Sequence, residues 1–177
     1  MSHGDEVKAS IRARVIYVVA LTSVLIWLGL IMAAPWLMAT HHYAIAFLLY
    51  KSFSALCHQL PDRSFHLLGF PLTVCARCTG IYAGFLIGLL CYPFVRRLED
   101  EVMPARLWLM VTFVPVVIDF AGGAIGIFTN TFFSRTTTGA IAGAAAAFYI
   151  LPGLMAVRWR LPRARSRVKI HYSRSTT

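Results

Sequence analysis

VIYVVALTSVLIWLGLIMAAPWLM, residues 15–38, is the stretch that decides the fold: 24 consecutive residues without one charged side chain. A helix needs about 20 mostly apolar residues to cross a hydrocarbon core about 30 Å thick, so this segment spans a membrane. No small-x-small cleavage site closes it, and it reads as an uncleaved anchor. Windows of the same length give three more spans, at residues 75–95, 107–128 and 139–157. Composition agrees, with 58% hydrophobic residues, 14% charged residues and a mean hydropathy of +0.68. The expected fold class is therefore all-α: a polytopic, four-helix transmembrane bundle, with residues 1–177 forming a single membrane domain in a lipid bilayer.

The net charge of +10 does not imply nucleic acid, because its distribution is topological. Lys8, Arg12 and Arg14 precede the first span, Arg96, Arg97 and Arg106 link the second to the third, and a basic tail at 158–177 follows the fourth. The positive-inside rule puts all three segments in the cytoplasm, and four spans make that assignment self-consistent. The reading is a multi-pass protein of the cell membrane with both termini cytoplasmic. The tail also suits anionic lipid headgroups. The opposite loops carry few cations, Lys51, Arg63 and Arg135, with Arg77 at a helix mouth.

Residues 43–57 are apolar for most of their length, but they are too short to cross and contain Lys51, Ser52 and Ser54. They are expected to form an interfacial helix on the outer face, ending at Cys57 and His58. After it comes a loop rich in turn residues, Pro61, Asp62, Gly69 and Pro71. Pro71 or a neighbour is expected to open the second spanning helix and to place Cys75 and Cys78 in its first two turns, where the partial positive charge of a helix N-terminus favours thiolates.

This loop concentrates the chain's chemistry. Cys57, His58, His66, Cys75 and Cys78 fall within 22 positions. Thiolate and imidazole are the ligands of zinc, and Cys75-x-x-Cys78 with two of Cys57, His58 and His66 makes a tetrahedral Cys3His or Cys2His2 set. Zinc is the expected metal, with iron also possible. Thr79 stands where covalent haem attachment would need a histidine, and four-cysteine iron–sulfur ligation would need the distant Cys91. The rival chemistry is thiol–disulfide exchange linked to a quinone or a partner, although the single Cys57 leaves no second cysteine pair for a relay. A plain stabilising disulfide is the structural alternative. His41 and His42 read as interfacial residues.

A regular second helix puts Cys75, Cys78, Tyr82, Phe85 and Leu89 on one face, and Gly80, Gly84, Gly88 and Cys91 on the other. Gly139, Gly143 and Ala147 form a similar stripe in the fourth span. The two stripes are expected to pack against each other or to build a homo-oligomer contact, with Cys91 as a small packing residue. Asp119 is the one carboxylate expected within the membrane. It is a candidate for proton or ion handling, with Arg77 as a possible assistant in catalysis, or else the structural partner of Arg77 or Arg135. A small oligomeric transporter or membrane-complex subunit therefore stands as a further functional class.

The runs CHQLPDRSFH at residues 57–66 and PLTVCARCTGIY at residues 71–82 resemble the prokaryotic membrane-protein family called domain of unknown function 2085. The resemblance implies a small polytopic bundle, with Cys57, His58, Arg63, Cys75, Arg77, Cys78, Thr79, Gly80 and Tyr82 as motif positions. It implies no activity.

Overall fold

The computed structural model describes residues 3–100, 102–127 and 129–157, so the basic tail expected at 158–177 lies outside the described residues. Four helices are long and apolar enough to cross a membrane: α1 (His3–Ala39), α3 (Ala76–Val95), α4 (Arg106–Ala124) and α5 (Phe132–Ala156). Between the first two lie α2 (Tyr43–Ser54), a single 3-10 turn (Pro61–Arg63) and a two-stranded hairpin, β1 (His66–Leu67) with β2 (Phe70–Pro71). At 12 residues α2 is about 18 Å long, too short to span, and it lies against α1.

Contacts along the helices fix their relative directions. Tyr17 donates its hydroxyl to the Leu89 carbonyl (3.1 Å) and Trp27 meets Tyr82 edge-on at 5.9 Å, so α1 and α3 run antiparallel. Gly80, Gly84 and Gly88 face the main chain of Thr136, Ala140 and Ala144, so α3 and α5 run parallel. Tyr149 donates to the Ala105 carbonyl at 2.8 Å, near the start of α4, so α4 runs against α5. These directions bring Arg12, Arg96, Arg97 and Arg106 to one end of the bundle and the cysteine loop to the other. The charge pattern along the chain is thus a pattern in space.

The α3–α5 seam is the densest part of the bundle. Its glycines interlock from both sides, Gly139 abutting the Arg77 carbonyl and Gly143 the Ile81 carbonyl. Both glycine stripes are thereby occupied by each other within one chain. Without a hydrophobic drive between helices in lipid, such close approach is what gains dispersion energy. Cys91, by contrast, is exposed on the bundle surface and takes no part in packing, contrary to expectation.

Four local boundaries differ from the sequence reading. The helix α2 ends at Ser54, not at Cys57 and His58: the Leu56 N–H bonds to the Phe53 carbonyl three residues back at 3.0 Å, tightening the last turn, and Cys57 and His58 lie in the loop beyond it. The helix α4 stops at Ala124, not near residue 128: Gly126 adopts φ +75° and the Ile127 N–H bonds back to the Gly122 carbonyl at 2.9 Å, a Schellman-type close. The helix α5 starts at Phe132 rather than 139, because Thr131 caps it by accepting from the Ser134 N–H at 3.0 Å. Pro71 does not open α3. It pairs with His66 in the hairpin, whose two-residue turn has Leu68 at φ 53° and Gly69 at φ 84°, and α3 begins at Ala76 with Cys75 as its N-cap.

At the opposite end α1 continues well beyond the bilayer core, 37 residues being about 55 Å of helix. Its Arg12 guanidinium donates to the Met155 carbonyl (3.0 Å) and the Val157 carbonyl, a cation placed at the carbonyl-rich C-terminus of α5.

Candidate functional site

The hairpin returns the chain so that residues far apart in sequence meet at the first turn of α3. Phe53 near the end of α2 stacks edge-on against Trp27 of α1 at 4.9 Å, which anchors the segment leading to Cys57. Tyr50 donates to the Pro71 carbonyl and Gln59 to the Tyr50 carbonyl at 2.7 Å, tying α2 to β2 and to the loop that follows Cys57. Leu72 and Val74 are buried against the same cluster, together with Ile31. Apolar burial thus positions the sulfurs before any bond to them forms.

Cys57, Cys75 and Cys78 converge with their Sγ atoms within 4.8 Å of one another. Cys57 is buried, the other two are half-buried, and all are free thiols. The backbone N–H of Cys75 donates to Cys57 Sγ at 3.2 Å. Thr79 returns its hydroxyl to the Cys75 carbonyl at 3.2 Å, which steadies the turn between the two helix cysteines. Cys75 lies just outside the span, as the residue that caps α3. Hydrogen bonding from the Cys78 side chain holds its thiol below the ordinary cysteine value, with a smaller contribution from Cys57, against the opposing effect of burial. A thiolate there serves metal ligation and nucleophilic exchange alike.

His58 and His66 are exposed, and neither ring belongs to the group in which the three sulfurs meet. His58 directly follows the buried Cys57 in the chain, and His66 stands on β1. The Cys75, Cys78, Tyr82, Phe85 and Leu89 face of α3 forms as expected. Its first three members join the cluster with Trp27, and its last two pack with α1 lower down. Sequence reasoning did not single out Trp27, whose indole contacts both Phe53 and Tyr82. A tryptophan inside a span, away from either interface, was the available signal.

Arg77 leaves the opposite side of the same turn. It forms an ion pair with Asp119, which is 5% exposed, and its guanidinium also lies over the Phe120 ring at 5.6 Å. Asn130 donates to the Asp119 main-chain carbonyl and packs on Gly123, tying the α4–α5 connection to the same place. The membrane carboxylate therefore has its partner, the first of the two arginines the sequence offered. Asn130 is a further residue the sequence reading passed over.

The model of the family described as predicted membrane protein, domain of unknown function 2085, matches residues 57–149. An uncharacterized protein of Methanocaldococcus jannaschii is 39% identical over 141 residues, covering 77% of this chain and 90% of that protein. An uncharacterized protein of Methanothermobacter thermautotrophicus is 33% identical over 91 residues, covering 51% of this chain and 80% of that protein. No solved structure matches the chain.

Proposed function

The chain belongs to the predicted membrane-protein family of domain of unknown function 2085, and within that family we propose that Cys57, Cys75 and Cys78 form the protein side of a thiophilic metal site, with zinc as its natural occupant. One observation supports this above the others, the meeting of three sulfurs within 4.8 Å. Tetrahedral zinc with Zn–S bonds of about 2.3 Å sets its sulfurs about 3.8 Å apart, so closing around the ion asks for shifts of only about 1 Å. The N–H of Cys75 aimed at Cys57 Sγ is the kind of outer hydrogen bond that orients a ligating sulfur and moderates its charge. Three thiolates leave one coordination position. His58 or His66 closes it into a structural Cys3His site, or water holds it open.

The site belongs on the outer face of the membrane if the arginine-flanked end of the bundle is cytoplasmic. There the metal pins the hairpin and the end of α2 to the first turn of α3. Metal content by mass spectrometry tests the reading, on detergent-purified protein made without a histidine tag and without added metal. The expected result is about one zinc or iron per chain, lost in Cys57→Ser and Cys75→Ser and retained in Cys91→Ser. Loss in His58→Ala or His66→Ala identifies the fourth ligand. Absence of metal from every sample, with fewer than four free thiols after non-reducing denaturation, overturns the proposal.

That last outcome would favour a second reading, oxidation of Cys75 and Cys78 to a disulfide with two electrons and two protons passed to a membrane quinone. What supports it is an apolar groove of about 680 Å³ between α1, α3 and α5, whose lining includes Trp27 and Tyr82, the side chains packed beside Cys78.

A further inference from the structure

On the far side of α3 from the sulfurs, three adjoining cavities open between the 3-10 turn, the α4–α5 connection and the first turn of α5. Their volumes are about 300, 90 and 440 Å³. Arg63, Asn130 and Arg135 line all three, and Arg77 also lines the smallest. We propose that this pocket binds a phosphate-type oxyanion, with Arg63 and Arg135 as its ligands.

Charge balance is the first argument. Arg77 is neutralised by Asp119, but neither Arg63 nor Arg135 has a carboxylate partner among the described residues. Asp62 lines the 300 Å³ cavity, and no carboxylate among the described residues lines the other two. Two guanidinium groups facing shared space repel each other, Arg63 from an exposed position and Arg135 from a half-buried one. An anion between them turns that repulsion into two charge-assisted, bidentate contacts, the geometry for which the planar guanidinium fork suits phosphate.

The second argument concerns the helix that carries Arg135. That residue lies in the first turn of α5, where a cation opposes the helix macrodipole, and Phe132 at the same terminus lines the 300 Å³ cavity. A positive side chain on a positive helix end is a poor arrangement for stability alone, and a good one for holding an anion. Asn130 is not a ligand: its amide donates to the Asp119 carbonyl, and its carboxamide fills the space over Gly123. It fixes the floor of the pocket, as the Arg77–Asp119 pair fixes the wall.

The phosphate can be free or carried on a lipid headgroup, since the pocket lies at the loop ends of helices long and apolar enough to cross a membrane. The test is made on full-length protein. Radiolabelled inorganic phosphate is titrated by equilibrium dialysis in detergent, and retention of phosphatidylglycerol against phosphatidylcholine is read by native mass spectrometry from nanodiscs containing both. Wild-type protein is expected to hold about one phosphate per chain, and Arg63→Gln and Arg135→Gln to weaken it about ten-fold or more each. Lys51→Gln, which removes an exposed cation outside the pocket, leaves binding unchanged. Selective retention of phosphatidylglycerol, lost in the two arginine variants and competing with free phosphate, assigns the headgroup as the source; phosphate binding without lipid selectivity assigns the free anion. Equal binding in all variants, or none in the wild type, overturns the proposal. Arg135→Lys and the thermal midpoint of each variant separate loss of the anion site from loss of the fold.

Discussion

Replacing Gly84 by alanine tests whether the α3–α5 seam is as close as its glycines indicate. A Cβ at position 84 would lie 2.5 Å from Ala140 Cα and 2.7 Å from Ala140 C. Carbon atoms at rest sit about 3.5–4.0 Å apart, so the two backbones must part locally by about 1 Å. The obstruction is main chain on the facing helix, and no rotamer change relieves it. A gap of about 0.5–1 Å already forfeits a quarter to a half of each dispersion contact along the seam. Overpacking of this kind costs about 1–3 kcal/mol, and a backbone clash in mid-span belongs at the upper end, about 3 kcal/mol. Gly29 is the internal control: it is also helical, but nothing lies within 4 Å of where its Cβ would stand. Gly29→Ala should be neutral or stabilising by up to about 1 kcal/mol through helix propensity. For a chain of this size about 3 kcal/mol lowers the midpoint of thermal unfolding by roughly 6–12 °C. Both variants are measured in one detergent by the loss of tryptophan fluorescence or of a folded elution peak. If Gly84→Ala unfolds at the temperature of Gly29→Ala, the seam is not a glycine-dependent close contact.

The remaining predictions concern charge. Asp119→Asn leaves Arg77 without its counter-ion; with side chains only 18% and 6% exposed, the loss should be about 3 kcal/mol, the low end for breaking a buried pair, read as a lower unfolding midpoint. The double variant Arg77→Gln/Asp119→Asn, with no isolated charge, should recover part of it. Retained metal should fall as pH drops, because protons compete with the ion for thiolates. Metal retention that stays flat from about pH 8 to about 4 would contradict thiolate ligation.

Much of the bundle is legible from single residues. The uncharged run at 15–38 can be stable only in lipid, and the arginines flanking alternate ends of the helices fix their relative directions. The glycine spacing of residues 80, 84 and 88 named the face of α3 that meets α5. Hydropathy failed at the start of α5, because Ser134, Arg135 and Thr136 to Thr138 lower any window that contains them. The physical signal there was the Thr131 cap, which a window average does not register. The end of α4 was missed for the same reason, since Gly126 acts through its backbone conformation.

The site was half legible because its ligand types are local and their meeting is not. Cys57 and His58 are adjacent, so spacing along the chain gives them equal standing as ligands. In the fold Cys57 is buried against Leu72 and Val74 while His58 is exposed. The choice rests on the hairpin turn at Leu68 and Gly69, which decides which side of residues 57 and 58 the returning strand covers. No periodicity encodes such a long-range event.

One turn of helix carries two of the three sulfurs and the guanidinium that pairs with Asp119. Cys75 caps the first turn of α3 and Cys78 projects from within it, whereas Arg77, about 100° round the helix from Cys78, leaves toward another side. The sulfurs accordingly join Trp27, Phe53 and Tyr82 on the α1–α2 side, and the guanidinium reaches Asp119 and Phe120 on the α4 side. Between these directions Gly139 abuts the Arg77 carbonyl, so the close approach of α5 fixes the backbone from which all three side chains leave. A buried ion pair is a poor source of net stability, its desolvation offsetting most of its attraction. Here it holds the rotation of α3 about its own axis. A helix turned by one residue would carry Arg77 away from Asp119 and both thiols away from Cys57, so the pair, the glycine seam and the sulfur cluster all select the same rotation.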